Sequence, residues 1–288
     1  MMGGGSDLDE AFRWLCDKSN GGDFLILRAR GGNDYNPWVN KLCKVNSVAT
    51  LVIPDRLAAL DPAVADIIHH AEAIFIAGGD QSRYINSWRN SPVQNAINAH
   101  IAEGKPLGGT SAGLAVQGEY AYSAMNDRRD GPDLKSPPVL VNPYQDQIAI
   151  TRDFLQVPHL QNVITDSHFA KRDRMGRSLV FLARIVQDGW SQNPREIAID
   201  EKSAVLLGPD GEATVVGMGK GAYFLRVKNA PEVCKVGIPL TFRNIAAYHA
   251  PTGAHFDLEH WSGSGGESYS LSVENGVVRS DRSENAIY

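Results

Sequence analysis

The chain has 288 residues, 43% of them hydrophobic, and 28 Lys and Arg against 33 Asp and Glu give a net charge of −5. It can bury a full core, in one or two domains by length alone, and its scattered basic residues argue against nucleic-acid binding. No apolar run approaches the ~18 residues of a membrane-spanning helix, and the first residues lack the basic and apolar stretches of a secretory signal.

Met1-Met2-Gly3-Gly4-Gly5 has the glycine-rich character of a strand-to-helix turn, yet no strand precedes it. In a doubly wound sheet the first strand is usually central, so the natural chain is expected to begin earlier. The run does not complete G-x-G-x-x-G, the dinucleotide-binding pattern. Ser6 is the expected N-cap of a helix carrying Leu8, Ala11, Phe12 and Leu15 on one face, with Asp9 in its first turn. Phe24–Leu27, Thr50–Ile53 and Ala73–Ile76 are continuous apolar runs of strand length, the pattern of strands buried on both faces of a parallel sheet. Asp61-Pro62 and Ser91-Pro92 each supply an N-cap and first residue for helices reaching about His70 and Gly104.

Lys105–Gly108 reads as a short strand and Leu114–Gln117 as the first turn of a buried helix. From Gly118 to about Phe154 no period is clear. A helix follows near Met175–Val186. Short strands then dominate: Glu196–Ile199, Ala204–Leu207, Thr214–Val216, Ala222–Val227 and Ile245–Tyr248. The alternation of strands and helices predicts a doubly wound α/β sheet whose active site lies at the carboxyl ends of its strands. The later strands are read as a β-rich completion of one domain, with the α/β part over about 1–207 and the tail over about 208–288.

Three stretches carry chemistry. Gly109-Thr110-Ser111-Ala112-Gly113 places a serine between an expected strand and helix, as a nucleophile elbow does, although glycine and serine also make ordinary loops. The N–H of Ala112 would face a developing oxyanion. Gly78-Gly79-Asp80-Gln81 ends another strand, where a glycine N–H could be the second donor; alone it is a common turn. Asp166-Ser167-His168 ends a third strand and is followed by Arg172, Arg174 and Arg177. Arginines at such a junction suit bidentate capture of a carboxylate, and the bland reading is a solvated charge cluster. His69-His70 and the histidines of the tail fit no zinc spacing, so no metal site is expected. Trp190 and Trp261 read as packing residues. Cys16, Cys43 and Cys234 are expected to be ordinary buried thiols of a reduced, cytoplasmic protein, the alternative being a longer, exported precursor.

Together these stretches, with Ile199-Asp200-Glu201, resemble the cyanophycinase branch of the peptidase E-like serine hydrolases, over about Gly3–Leu207. The resemblance implies a flavodoxin-like α/β fold, a homodimer, and serine exopeptidase action on an Asp-Arg polymer, releasing β-Asp-Arg without metal or cofactor. It makes Ser111 the nucleophile, His168 the base and Glu201 the orienting acid, with Asp200 and Asp166 as rival third members. The oxyanion donors fall on Gly79 and Ala112, and the substrate-recognition positions on Gln81, Asp166, Arg172, Arg174 and Arg177. Two departures bear on substrate shape: Ser167 stands where the family commonly has glutamine, and the irregular Asp127–Gln147 region lengthens the segment between Ser111 and His168. Alternatives are an aspartyl dipeptidase-like hydrolase of other Asp-containing peptides, and a catalytically silent small-molecule-binding homologue.

Overall fold

A computed structural model describes residues 1–126 and 133–288. Along the chain come α1 (Asp9–Lys18), β1 (Asp23–Arg28), α2 (Tyr35–Leu42), β2 (Ser47–Val52), α3 (Arg56–Leu60), α4 (Pro62–His69), β3 (Ala73–Ile76), α5 (Gln81–Trp88), α6 (Pro92–Ala102) and β4 (Leu107–Gly109). Next are α7 (Ala112–Ala115), β5 (Tyr120–Tyr122), α8 (Ser136–Val141), β6 (Ile150–Arg152), β7 (Val163–Asp166), α9 (Met175–Gln187) and β8 (Arg195–Ile199). The rest is strand: β9 (Ser203–Leu207), β10 (Glu212–Gly217), β11 (Ala222–Arg226), β12 (Val233–Lys235), β13 (Ile238–Ala250), β14 (His255–Asp257), β15 (Ser262–Ser264), β16 (Glu267–Glu274) and β17 (Val277–Ser280).

The fold is α/β with a β-rich C-terminal part. Strands β2-β1-β3-β4 form a parallel sheet in the order that flavodoxin-like folds share. β5, β7 and β8 are also parallel neighbours, and antiparallel β11, β13, β16 and β17 extend their sheet. β15-β14-β10-β9 makes a third, antiparallel sheet. The crossover helices pack on these sheets through apolar stripes: α9 buries Leu179, Val180, Phe181, Leu182, Ala183, Ile185 and Val186. Asp61 and Ser91 cap α4 and α6 through their side chains, each with proline in the first turn, as expected. Among the described residues no helix is long and apolar enough to cross a membrane.

Several expectations are corrected. Ser6 is not the cap of α1: Leu8 holds that position without a side-chain bond, and Asp7 turns inward instead. β2 is an edge strand with exposed positions along its length, so its apolar run does not mark burial on both faces. The helix after Ser111 is a single turn, because Val116 leaves the helical conformation. In the stretch expected to be irregular, residues 127–132 lie outside the described residues, whereas β5, α8 and β6 are regular. Pro137 and Pro138 sit in the first turns of α8, where their missing N–H groups cost nothing.

Cys16 and Cys43 are joined by a disulfide that ties α1 to the end of α2, so two of the three cysteines are not free thiols. Cys234 is free and buried. The glycine-rich start is no bare turn either. The Met2 N–H donates to Gly109 O, the Ser111 N–H to Met2 O, the Gly3 N–H to Ser203 O and the Val205 N–H to Met1 O. Met1–Gly3 therefore fills the space between β4 and β9 and joins two sheets that do not otherwise pair.

Candidate active site

β4 delivers the chain to Ser111 at a turn that glycine makes possible. Ser111 has φ 52° and ψ −113°, a conformation L-residues rarely adopt. The turn is tight enough that a Cβ on Gly113 would lie 2.0 Å from Ile76 O, and one on Gly109 would lie 2.5 Å from Gly113 O. Both flanking glycines are thus required by backbone approach. Gly78, at the end of β3, lies against the serine, where a Cβ would sit 3.5 Å from that of Ser111.

His168 follows β7 and also has positive φ, 48°. Its Nε2 is 2.7 Å from Ser111 Oγ, and its Nδ1 is 2.7 Å from Glu201 Oε1. An ionised carboxylate can only accept, so the proton belongs on Nδ1 and Nε2 is left to accept from the serine hydroxyl. Burial lowers the pKa of His168, with Arg172 and Arg174 acting in the same direction and Glu201 opposing them. For Glu201, burial acts upward, but the bond to His168 and the nearby cations outweigh it and leave the carboxyl below its usual range. The imidazole is neutral near pH 7 and the carboxylate ionised, the states a proton relay needs.

The rival carboxylates face elsewhere. Asp200 accepts the Lys171 N–H at 2.8 Å. Asp166 is buried and bound bidentately by Arg177, Nε at 2.8 Å and Nη2 at 2.6 Å. Of the donors expected for an oxyanion, Ala112 is the first residue of α7, where the helix offers its N–H no acceptor, and Gly79 lies outside any helix or strand. Gln81 starts α5, with its amide 3.4 Å from Tyr122 O.

Arg174 and Arg177, expected at substrate-recognition positions, are both bonded within the protein. Arg177 is 1% exposed and spends its guanidinium on Asp166. Arg174 donates to Ser167 O at 2.8 Å and to Asp133 Oδ2 at 2.6 Å. Burial would raise the carboxyl of Asp166, but the two arginines overcome it and keep the group ionised; Asp133 behaves alike. Of these three arginines, Arg172 keeps an open side chain, 41% exposed, 3.6 Å from Asp133 and 3.9 Å from Glu201.

Three sets of residues that shape the site, the N-terminal glycines, Asp7 and Asp133, were not singled out as site residues from the sequence. The N-terminal glycines lie over the relay: the His168 N–H donates to Gly3 O at 2.7 Å, and a Cβ on Gly4 would lie 2.4 Å from the imidazole. Asp7 accepts from Thr110 Oγ1 at 2.5 Å and from the Tyr35 hydroxyl at 2.6 Å, anchoring the residue before Ser111. The signal for the first was the glycine run with no strand before it. Asp133 was hidden in an aperiodic stretch; the excess of arginine over acid near His168 was its one trace.

Comparison with known proteins gives a partial family match. Residues 43–141 match the model of peptidase family S51, a span that contains Gly79 and Ser111 but neither His168 nor Glu201. The chain is 29% identical over 172 residues to a cyanophycinase of Geminocystis herdmanii, covering 59% of this chain and 55% of that protein. It is 26% identical over 216 residues to a cyanophycinase of Trichormus variabilis, covering 73% and 65%. The chain thus spans between half and two thirds of the length of these relatives. A crystal structure of a peptidase from an acI-B1 Actinobacterium superposes with a TM-score of 0.53 at 19% identity, covering 79% of this chain and 92% of that one, a likeness of fold.

Proposed function

From its relationship to the cyanophycinase and peptidase E-like peptidases, we propose that this chain is a serine exopeptidase releasing β-Asp-Arg from an Asp-Arg polymer such as cyanophycin. The observation that carries this reading is the continuous contact from Ser111 Oγ through His168 to Glu201, at 2.7 Å for each link. Ser111 Oγ attacks the scissile carbonyl while His168 Nε2 takes its proton. Glu201 holds the Nδ1 proton and stabilises the imidazolium that forms. The carbonyl oxygen becomes negative against the Gly79 and Ala112 N–H groups. His168 then gives its proton to the leaving amine, and water, deprotonated by the same imidazole, releases the acid and regenerates Ser111. In this reading the 288 residues act as one unit, in a homodimer, on a peptide substrate with no metal, cofactor or nucleic acid.

A second substrate class has an observation of its own. With Arg174 and Arg177 committed to Asp133 and Asp166, Arg172 is the one of these three arginines open to a substrate carboxylate, which favours Asp-containing peptides smaller than the polymer. A cytoplasmic setting was expected from reduced thiols; the Cys16–Cys43 disulfide removes that support and favours an oxidising compartment.

Incubation with insoluble cyanophycin, with detection of β-Asp-Arg, tests the proposal beside a panel of Asp-X dipeptides. Release of β-Asp-Arg by the native chain and its loss in Ser111→Ala is the expected result. Free aspartate from the dipeptides alone selects the second class. Failure of a fluorophosphonate to label Ser111 would identify a silent homologue and overturn both.

A further inference from the structure

A recess of about 470 Å³ lies on the β11–β13–β16 sheet beside the β14–β15 hairpin, lined by Arg226, Tyr248, Phe256, Trp261 and Asp281 among others. No residue of the hydrolytic relay takes part. Arg226 on β11 is paired in register directly opposite Arg195 on β8. Like charges facing each other across strands cost stability. Here neither arginine has an ion pair among the described residues, and the buried Nε of Arg226 has no hydrogen-bond partner. Arg195 lies 4.7 Å over the Trp261 ring, and its guanidinium donates to Leu258 O at 3.3 Å. Burial and the charge of Arg226 both lower the pKa of Arg195.

The walls are flat and aromatic. Phe256 and Trp261 meet edge to face at 5.2 Å, and Trp261 is held at φ 54°, an outlier for a bulky side chain. Tyr248 is 9% exposed, yet its buried hydroxyl has no partner. An orphan hydroxyl of that kind is destabilising unless something occupies the recess. Asp281, the acid on the rim, accepts the Ser270 N–H at 2.8 Å.

We propose that this recess binds a carboxylate carried on an aromatic or similarly flat apolar body, with the carboxylate on Arg226 and the ring against Trp261 and Phe256. The hydroxyl of Tyr248 then donates to a ligand oxygen. Such a group is either a free aromatic acid or the C-terminal residue of a peptide. The site is separate from the hydrolytic one and stands whether or not the peptidase reading holds.

The test is titration of the full chain with N-acetyl-phenylalanine, N-acetyl-phenylalanine amide, and a short peptide ending in phenylalanine with a free or amidated terminus. Trp261 fluorescence and calorimetry report binding. Both free carboxylates are expected to saturate below roughly 1 mM, and the amides to bind at least about tenfold more weakly, the size of one charge-assisted contact. Binding of the acid but not the peptide assigns the free-acid source; binding of both assigns a C-terminus. Arg226→Gln should lose at least about tenfold, and Tyr248→Phe, which keeps the ring and the fold, severalfold. Ser111→Ala should bind the probe as the native chain does. Equal binding of acid and amide, full affinity in Arg226→Gln, or loss of binding in Ser111→Ala overturns the proposal. So does a concentration-dependent dimer covering this face with no probe bound.

Discussion

Gly4 and His168 are in van der Waals contact, and the contact leaves no room for a side chain: a Cβ on Gly4 would lie 2.4 Å from Cε1 of the imidazole. Gly4 also has φ 94°, so alanine is strained there whatever the space. Because the neighbouring Gly3 O accepts the His168 N–H, the segment sets both the backbone and the ring of the proposed base. Gly4→Ala is expected to lower kcat by about 100-fold or more, the cost of an ångström's misplacement, with a smaller change in KM. Steady-state kinetics and the rate of fluorophosphonate labelling measure it. An unchanged kcat in a folded variant would remove this segment from the site.

The acid limb of the rate profile follows from His168. Burial lowers its pKa below 6.5, and only the neutral ring can accept the Ser111 proton. kcat/KM should therefore rise with pH through a midpoint below 6.5 and fall about tenfold per unit beneath it. Glu201 opposes that lowering, so Glu201→Gln should move the limb further toward acid. The amide can donate to Nδ1 and trap the proton on Nε2, the wrong tautomer, so the plateau should drop by about 10⁴-fold. A limb that moved upward in this variant would reverse the assigned role.

The parts of this molecule legible in the sequence are those governed by short-range rules. Asp61-Pro62 and Ser91-Pro92 announced helix starts because caps act within three residues, and Ala73–Ile76 announced a central strand because all four side chains are buried. Ser111 and His168 were visible as strand-end residues, and Glu201 came from family likeness. What stayed hidden depends on contacts far apart in the chain. Asp7 meets Thr110 across 103 residues and Asp133 meets Arg174 across 41, and no local pattern records either pairing. Thr50–Ile53 misled because an apolar run cannot tell an edge strand from a central one.

The arginines separate structure from recognition. Arg177 is 1% exposed and bidentate to Asp166, so Arg177→Met leaves a buried carboxylate with only the longer 3.4 Å contact to Arg174 as its cation. The expected loss is about 3–5 kcal/mol of folding stability, read as a fall in the denaturant midpoint. Arg172, with its side chain 41% exposed and ion pairs at 3.6 and 3.9 Å, carries little of the fold. Arg172→Gln should hold stability within about 1 kcal/mol and raise KM for Asp-containing substrates severalfold. A stable Arg177→Met variant with a raised KM would exchange the two roles.

The Cys16–Cys43 bond closes a loop of 27 residues between α1 and the end of α2. In the chain-entropy model, a loop of that size removes about 3–4 kcal/mol of freedom from the unfolded chain. Cys43→Ser should therefore lower the denaturant midpoint by a corresponding amount. Ser111, His168 and Glu201 do not touch the bond, so kcat should be unaffected where the variant is folded. Thiol alkylation before and after reduction provides the independent check. In denaturant the oxidised chain should label only at Cys234, and the reduced chain at all three cysteines. Labelling of three thiols without any reductant would show that the bond does not form, and the stability of Cys43→Ser should then match the native chain.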